Sequence, residues 1–592
     1  MPAPGVDPSW ALGLNQAVAQ GLAFGKEIIF TLGPYAAIYT KFYHPATDSM
    51  MLWGSLYLAC AYYLALLLLM QHASWSWRFI FSGFLLTLVY AKDALFFSYP
   101  LLVGLLVFHE VQREQKSINY RALCVFIFLA SPLGLLPLIK GSLLIISGVI
   151  SGLSALTLFY KRRFLLGAVL LFSPFLSLLL FWLLAGQHLA NLSPYFMSSL
   201  NLALSFTDAM SLQGNGYEVI SYLILTVFVL LLVSKAPLPK LLTLFLFSLF
   251  FVFLFLSFKA GFTRHFGHAF IAGTSLLIAV LLLPYCIRSK WLAPLVVLAF
   301  IISFYIEGHY RQFNLLKNMQ STYATAWYGW ISRLNDTDWL KNNFRLSMSY
   351  LKIKNAFPLL KGTSDIYSYE QTDLIASGNT WLPRPVLQSY SVFNVALAKV
   401  NEQHLLGPQK PDNIFFKMQP IDNRWPSLED GNSWPIFLKN YQIATWINDF
   451  LLLHKAQLGA KPSFKQIAQE THSLGETVHL PTSQQMIFLR LELEPNVLGK
   501  LFRVLFKLPE LSITARLRNG SEKRYRLIAE MAKAHFLLSP LIENTQEFAS
   551  LYDNEFILQG KQLVSFRIDS ANEVGGGWLW SPHYVAQLNV LL

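Results

Sequence analysis

The chain has 592 residues, of which 54% are hydrophobic and only 13% are charged, and its net charge at pH 7 is +13. Soluble domains carry about 25% charged residues, so this composition excludes an ordinary soluble protein. The positive charge does not indicate a nucleic-acid partner, because the basic residues are scattered between apolar segments and no basic run is longer than Lys161-Arg162-Arg163.

The charges divide the chain into two parts. Residues 1–307 contain 17 basic and 9 acidic residues, whereas the rest of the chain contains 29 and 24. This shift predicts an α-helical polytopic membrane domain of about ten helices at 51–307, followed by a soluble extracytoplasmic region. Within that region we predict an α/β part at 308–455, a linker at 456–483 and a β-rich domain, expected to be a β-sandwich, at 484–592.

The N-terminal stretch 1–50 is predicted to be an extracytoplasmic loop. No apolar helix precedes it, so either a short tail is translocated or, as we expect, an upstream start adds an apolar helix of roughly 20 residues. Ten apolar segments follow, most of them long enough to cross a bilayer as helices. They cover residues 51–70, 79–91, 94–111, 122–139, 142–160, 164–186, 217–234, 241–258, 268–286 and 291–306.

The connections between these segments alternate in charge. One set of five short loops holds 11 basic residues, whereas the other set holds four, namely Lys92, Lys140, Lys259 and Arg264. Because cytoplasmic loops are enriched in Lys and Arg, the first set is predicted to be cytoplasmic. We therefore predict a multi-pass protein of the bacterial inner (cytoplasmic) membrane, with a periplasmic C-terminal domain.

Polar side chains at membrane depth are functional candidates, because burying them is costly unless they are paired or face water. Cations suit a phosphate group, and a carboxylate suits proton abstraction from a hydroxyl acceptor. The alternative for the lysines near helix ends, such as Lys92 and Lys259, is that they extend to the membrane interface. The predicted topology puts one set on the extracytoplasmic side: Lys92, Asp93, Lys140, Asp208, Glu218, Lys259, Arg264, His265 and His268, joined by Asp7, Lys26 and Glu27 of the N-terminal loop.

The second part of the chain contains recognisable local patterns. Alternating apolar residues predict strands at 486–493 and 511–517, with Asn519-Gly520 as a turn. The run Ile414-Phe415-Phe416 predicts another strand, and the residues from Val395 predict a helix. Asp336-Thr337-Asp338 matches the D-x-D of metal-dependent nucleotide-sugar transferases, but Asp and Thr before Trp339 favour the start of a helix.

Three stretches carry a resemblance. Residues Asp7 to Tyr35 resemble the first extracytoplasmic loop of the GT-C glycosyltransferase superfamily, which includes the protein O-mannosyltransferases and the lipid A aminoarabinose transferases. The chain also resembles a group of bacterial multi-pass membrane proteins in the stretch Gly25 to Pro34, in Phe258-Lys259-Ala260-Gly261-Phe262-Thr263-Arg264-His265 and in Arg384-Pro385-Val386-Leu387-Gln388-Ser389-Tyr390.

The resemblance implies transfer of a sugar from a polyprenyl-phosphate donor to a glycan or lipid acceptor outside the cytoplasm, with Asp7 as the catalytic base. The residues expected to hold the donor phosphate are Lys140, Lys259, Arg264, His265 and His268, and Lys26, Glu27 and Asp208 are expected near the acceptor. No second acidic residue flanks Asp7, so a metal site is not expected there, and no cofactor is indicated. Two other functions stay open, a transporter or flippase for a lipid-linked or anionic substrate and a scaffold for envelope assembly.

Overall fold

A computed structural model describes residues 1–88, 91–113, 119–310, 315–457, 460–481, 485–553, 555–571 and 576–592. The chain divides into two compact units. The membrane unit comprises Thr31–Leu189 and Met210–Lys341, and the β-rich unit comprises Met1–Phe30, Ala190–Ala209 and Asn342–Leu592.

The helices of the first part of the chain account for most of its length. In chain order they are α1 (Val6–Ala19), α2 (Ala36–Thr40), α3 (Asp48–Met70), α4 (Trp75–Thr87), α5 (Lys92–Gln112), α6 (Tyr120–Ala130), α7 (Pro132–Ile139), α8 (Ser142–Tyr160), α9 (Phe164–Leu184), α10 (Leu192–Met210), α11 (Gly216–Ser234), α12 (Lys240–Phe262), α13 (Ala269–Leu282), α14 (Leu292–Tyr310), α15 (Leu315–Asn335) and α16 (Trp339–Asn355).

Eight helical segments in the described part of the chain are long and apolar enough to cross a bilayer. They are α3, α5, α6 continued by α7, α8, α9, α11, α12 and α14. The shorter apolar segment Ala269–Tyr285, which begins with α13, matches the predicted segment 268–286. α4 overlaps the predicted segment 79–91, of which residues 89–90 lie outside the described residues. The predicted order, many apolar helices followed by a β-rich region, is confirmed.

Ion pairs near the ends of these helices are consistent with the predicted alternation of loops rich and poor in basic residues. Glu110, near the end of α5, pairs with Arg113 at 3.0 Å and with Arg163, which precedes α9. Lys140, between α7 and α8, pairs with Asp93 at the start of α5, at 2.7 Å. Each pair joins two residues that the charge pattern assigns to the same side, so the alternation is consistent with the packing of the membrane unit.

The described residues of the β-rich unit form three sheets. Its strands are β1 (Thr363–Tyr367), β2 (Thr380–Trp381), β3 (Asn413–Phe416), β4 (Tyr441–Ile447), β5 (Phe450–Lys455), β6 (Phe464–Ser473), β7 (Thr477–His479), β8 (Ile487–Glu492), β9 (Leu511–Leu517), β10 (Glu522–Leu527), β11 (Phe536–Ser539), β12 (Leu563–Ser570) and β13 (His583–Leu591). Its later helices are α17 (Gln371–Ser377), α18 (Val395–Leu406), α19 (Ser433–Asn440), α20 (Val497–Leu505), α21 (Ala529–Ala532) and α22 (Thr545–Asp553).

The first sheet has the strand order β2-β1-β3-β5-β4, in which β1 is parallel to both of its neighbours. The other two sheets are antiparallel, with the orders β10-β9-β12-β7 and β11-β8-β13-β6. The core beside the first sheet is aromatic, with Phe416, Trp434, Phe437 and Phe548 fully buried. The predicted strands at 414–416, 486–493 and 511–517 and the predicted helix from Val395 are confirmed as β3, β8, β9 and α18.

Two domain boundaries differ from the prediction. The stretch 1–50 is not a single loop, because α1 buries Leu12, Leu14 and Ala17 and packs against α17, so residues up to Phe30 join the β-rich unit. The segment 456–483 is not simply a linker, because it contains β6 and β7. β6 is polar and largely exposed, and it is an edge strand paired with β13, which explains why hydropathy alone missed it.

Candidate functional site

Tyr39, Lys92, Asp93 and Lys140 form what we term the lysine cluster of the membrane unit. Lys140 Nζ donates a hydrogen bond to Asp93 Oδ1 at 2.7 Å, and the Tyr39 hydroxyl donates to Asp93 Oδ2 at 2.9 Å. Lys92 Nζ donates to the Tyr39 carbonyl oxygen at 3.1 Å. The two ammonium groups lie 4.2 and 4.6 Å from the centroid of the Tyr39 ring, so two cations share one aromatic ring and one carboxylate.

Local structure explains why these side chains meet. Asp93 lies in the first turn of α5, where the helix dipole favours a negative charge. Lys140 lies in extended backbone between α7 and α8 and forms a β-bridge with Leu32, while the Gly141 N–H donates to the Thr31 carbonyl at 2.9 Å. Because Asp93 is buried, the Lys140 ammonium is needed to balance its charge.

Glu218, His265 and His309 form a second group, the glutamate–histidine cluster. Glu218 lies in the first turn of α11 and is fully buried. Its two carboxylate oxygens lie 2.8 Å from His265 Nε2 and 2.9 Å from His309 Nδ1. His265 is buried, whereas the side chain of His309 is 41% exposed. The cluster therefore links a buried carboxylate to the surface of the unit through a partly exposed imidazole.

A close backbone approach holds His265 in place. The Leu212 N–H donates to the Thr263 carbonyl at 3.0 Å, and Leu212 and Arg264 form a parallel β-bridge. Gly214 lies so close to His265 that an added Cβ would be 2.4 Å from the imidazole Cγ. Only glycine fits at 214 without moving this ring.

The structure assigns the predicted phosphate-binding residues to two clusters and their surroundings. Lys140 belongs to the lysine cluster, and His265 belongs to the glutamate–histidine cluster. Arg264 is half-buried beside His265, Lys259 is half-buried in the last turn of α12, and His268 is exposed just before α13. Sequence reasoning missed Tyr39 and His309. The signal for His309 was available, because it is a polar residue near the end of an apolar helix.

The remaining predicted residues belong to the β-rich unit. Asp7 is exposed in the first turn of α1, and its Oδ1 accepts a hydrogen bond from Trp10 Nε1 at 3.1 Å. Lys26 is exposed, and Glu27 accepts from the Ala23 N–H at 2.7 Å, which closes a turn after α1. Asp7 thus lies in a different unit from Lys140, Lys259, Arg264, His265 and His268.

Asp208 has a structural partner within the same unit. Its Oδ2 lies 3.1 Å from Arg503 Nε, and Arg503 Nη1 lies 3.1 Å from Glu530 Oε1. Asp208 therefore joins α10 to α20 through an ion pair, a role that the sequence did not indicate.

The segment Arg384 to Tyr390, one of the three stretches behind the resemblance, is anchored by a buried polar network. Arg384 is fully buried, with Nε 2.7 Å from Asp365 Oδ2 and Nη1 2.5 Å from Asp430 Oδ2. Asn401 donates to Asp430 at 3.0 Å and accepts from the Val386 N–H at 2.9 Å. This arginine network fixes the segment against β1 and α18, which is a structural role.

The Asp336-Thr337-Asp338 sequence forms a turn that precedes α16. The Asp338 N–H donates to Asp336 Oδ1 at 2.9 Å, and the Trp339 N–H donates to the Asp336 carbonyl at 3.2 Å. The interpretation as a helix start is confirmed. In the part of the chain that the structure describes, no group of three or more His, Cys, Asp or Glu side chains is placed to hold a metal ion.

Comparison with known proteins gave no match, whether to a family model, to a curated protein or to a solved structure.

Proposed function

We propose that the protein transfers a sugar from a polyprenyl-phosphate donor to a glycan or lipid acceptor outside the cytoplasm. The observation that supports this proposal is the lysine cluster, in which the ammonium groups of Lys92 and Lys140 lie over one tyrosine ring beside the single carboxylate of Asp93. Two ammonium groups beside one carboxylate leave a net positive charge, which favours a phosphate group.

The other residues take roles that fit this chemistry. Arg264 grips phosphate oxygens with its planar fork, which a lysine cannot imitate. His265 donates a hydrogen bond or a proton to the same group, with Glu218 fixing its ring at 2.8 Å. Asp7 accepts the proton of the acceptor hydroxyl as the new sugar bond forms and the polyprenyl phosphate leaves.

The glutamate–histidine cluster favours a second candidate function, a proton-coupled transporter or flippase for a lipid-linked or anionic substrate. A buried carboxylate between two imidazoles at the ends of membrane helices is an arrangement that proton relays use. Transport of this kind needs no sugar transfer, so the two functions give different products.

The test combines binding of polyprenyl phosphate to purified protein in liposomes with glycan production in cells. We expect Asp7→Asn to bind polyprenyl phosphate normally but to lose transfer by about 10²- to 10⁴-fold, as for removal of a general base. Arg264→Ala should weaken both binding and transfer. Lys235→Met, an exposed residue after α11 in the predicted cytoplasmic set, is the matched control and should change neither.

Lys140 must be tested together with Asp93. Lys140→Met alone leaves the Asp93 carboxylate buried without its ammonium partner, at a cost of about 3–5 kcal/mol in stability. The double variant Asp93→Asn with Lys140→Met removes both charges and should fold, yet bind polyprenyl phosphate poorly. Full activity of both Asp7→Asn and Arg264→Ala would refute the site. Proton-driven movement of lipid-linked substrate without any glycan product would replace the transferase by the transporter.

A further inference from the structure

Helix α20 presents an exposed apolar face on the β-rich unit. Val497 and Val504 are 84% and 64% exposed, and Leu498, Leu501 and Leu505 are each about half exposed. At 100° per residue these five positions fall on one side of the helix. A contiguous apolar patch on a folded domain marks an interaction surface, because exposing it to water is costly.

The opposite side of α20 is fixed to the unit. A Cβ at Gly499 would lie 2.0 Å from the Leu579 carbonyl oxygen, so the helix backbone packs directly on this segment. Asn496 caps the helix by accepting from the Gly499 N–H at 2.8 Å. Trp578, next to Leu579, is also exposed. The helix is therefore seated with its apolar face turned outwards.

Between Glu494 and Glu510 the charged residues of this segment are basic. Residues 495–509 contain three basic residues, Lys500, Arg503 and Lys507, and no acidic residue. Lys500 is exposed and lies about 60° from Val497 around the helix, at the border of the apolar face. An apolar face with a basic border and a neighbouring tryptophan is typical of helices that lie in a membrane interface.

Helix α20 is linked through α10 to candidate membrane spans. Arg503 pairs with Asp208 of α10 at 3.1 Å, and α10 is connected at both ends to candidate spans, α9 and α11. Asp208 is only eight positions before Gly216, where α11 begins. α10 itself exposes Met197, Leu200 and Leu204, which share one helix face.

We propose that α20 docks the β-rich unit on the lipid bilayer that the candidate spans cross. The apolar face of α20 enters the boundary of the acyl chains, and Lys500 and Lys507 bind anionic headgroups. The exposed face of α10 extends this contact surface. This membrane contact does not depend on the proposed transferase reaction, so the two are tested separately.

The test places a fluorescent label on α20 in the full chain. Cys60, Cys124 and Cys286 are replaced by alanine, and Leu501→Cys is labelled with an environment-sensitive nitrobenzoxadiazole dye. The protein is reconstituted in liposomes of phosphatidylcholine and phosphatidylglycerol. We expect blue-shifted emission that a doxyl-labelled lipid quenches and aqueous iodide does not. Ile467→Cys, an exposed apolar position on β6, is the matched control and should show the reverse.

Two further variants test the physical basis. With Leu498→Asp and Val504→Asp added, the label at 501 should shift to the red and become accessible to iodide. With Lys500→Glu and Lys507→Glu, quenching by the doxyl lipid should lose its dependence on phosphatidylglycerol. Iodide access at 501 equal to that at 467 would overturn the proposal. Protection from both quenchers would also overturn it, because a protein partner or a second copy would then cover the helix.

Discussion

At the scale of single residues, Gly214 controls the position of His265. An added Cβ would lie 2.4 Å from the imidazole Cγ and 2.5 Å from the His265 carbonyl oxygen, so His265 must shift, and its 2.8 Å contact with Glu218 depends on its present position. We expect Gly214→Ala to destabilise the protein by about 1–3 kcal/mol, as overpacking does, and to weaken binding of polyprenyl phosphate.

Gly216 provides the matched control for this prediction. It opens α11 and has open space around the position of a Cβ, so Gly216→Ala should be neutral or stabilise the helix by up to about 1 kcal/mol. Melting temperatures in detergent and the binding assay distinguish the two variants. Equal behaviour of both would show that His265 does not depend on this close approach.

The buried Glu429 carboxyl makes the stability of the protein depend on pH. Burial raises the pKa of its carboxyl to about 7, although the Arg424 guanidinium opposes the shift. The folded protein therefore holds a proton that the unfolded chain releases near pH 4.5, and stability falls as pH rises between these two values. Glu429→Gln keeps the neutral form. We expect the stability of the variant relative to the wild type to increase as pH rises from 5 to 8.

The pKa of Glu543 is shifted in the opposite direction to that of Glu429. Burial alone would raise its pKa, but hydrogen bonds from Lys561 and Tyr525 outweigh burial and lower the pKa to about 2. The stability that Glu543 contributes is thus fully present from pH 5 to 8 and is lost only in more acidic solution. From pH 5 to 8, the melting temperature of Glu543→Gln should lie below that of the wild type by a constant amount. The melting temperature of Glu429→Gln should change with pH at a different slope from that of the wild type. Parallel curves for both would contradict the assignment of the proton to Glu429.

At the scale of elements, the arginine network joins β1, α18 and the segment that begins at Arg384. The guanidinium contacts Asp365, Asp430 and the Ile366 carbonyl oxygen at the same time. A lysine ammonium cannot reproduce this planar fork and leaves at least one buried carboxylate without its partner. We expect Arg384→Lys to cost about 3 kcal/mol or more in stability.

Arg567→Lys is the matched control, because Arg567 lies on the exposed side of β12, where it pairs with Asp569 at 2.9 Å. Its melting temperature should equal that of the wild type. If Arg384→Lys also melts like the wild type, the network does not anchor this segment. If it melts normally but loses transfer, the segment has a functional role that its burial does not reveal.

At the scale of the whole molecule, the alternation of charged loops makes a prediction about orientation. Five short loops with 11 basic residues are predicted to face the cytoplasm. A reporter that is active only in the periplasm should therefore be active when fused after Leu592 and inactive when fused at Lys161. A cytoplasmic reporter at the same two positions is the control and should give the opposite result. The reverse pattern would place the lysine cluster on the cytoplasmic side and exclude the proposed reaction there.

Features that depend on a residue's neighbours along the chain were predictable from the sequence. In the described part of the chain, eight of the ten predicted apolar segments form helices long enough to cross a bilayer, and they were predictable because such a helix needs a continuous apolar stretch. β9 was readable because one of its faces is buried and the other is half-exposed, which leaves an alternating pattern in the residues. The start of α16 was readable because Asp336 and Thr337 favour the turn before a helix.

The pairing of polar residues was not predictable from the sequence, because it depends on how distant segments pack together. Lys140 and Asp93 are 47 positions apart in the chain, as are His265 and Glu218, and no local pattern links residues at such a distance. Tertiary packing likewise decided that residues up to Phe30 join the β-rich unit and that the polar segment of β6 is a strand. The physical reason is the same in each case. Periodicity reports how a segment faces its surroundings, whereas an ion pair, a close glycine contact or an edge strand depends on what the rest of the chain brings next to it.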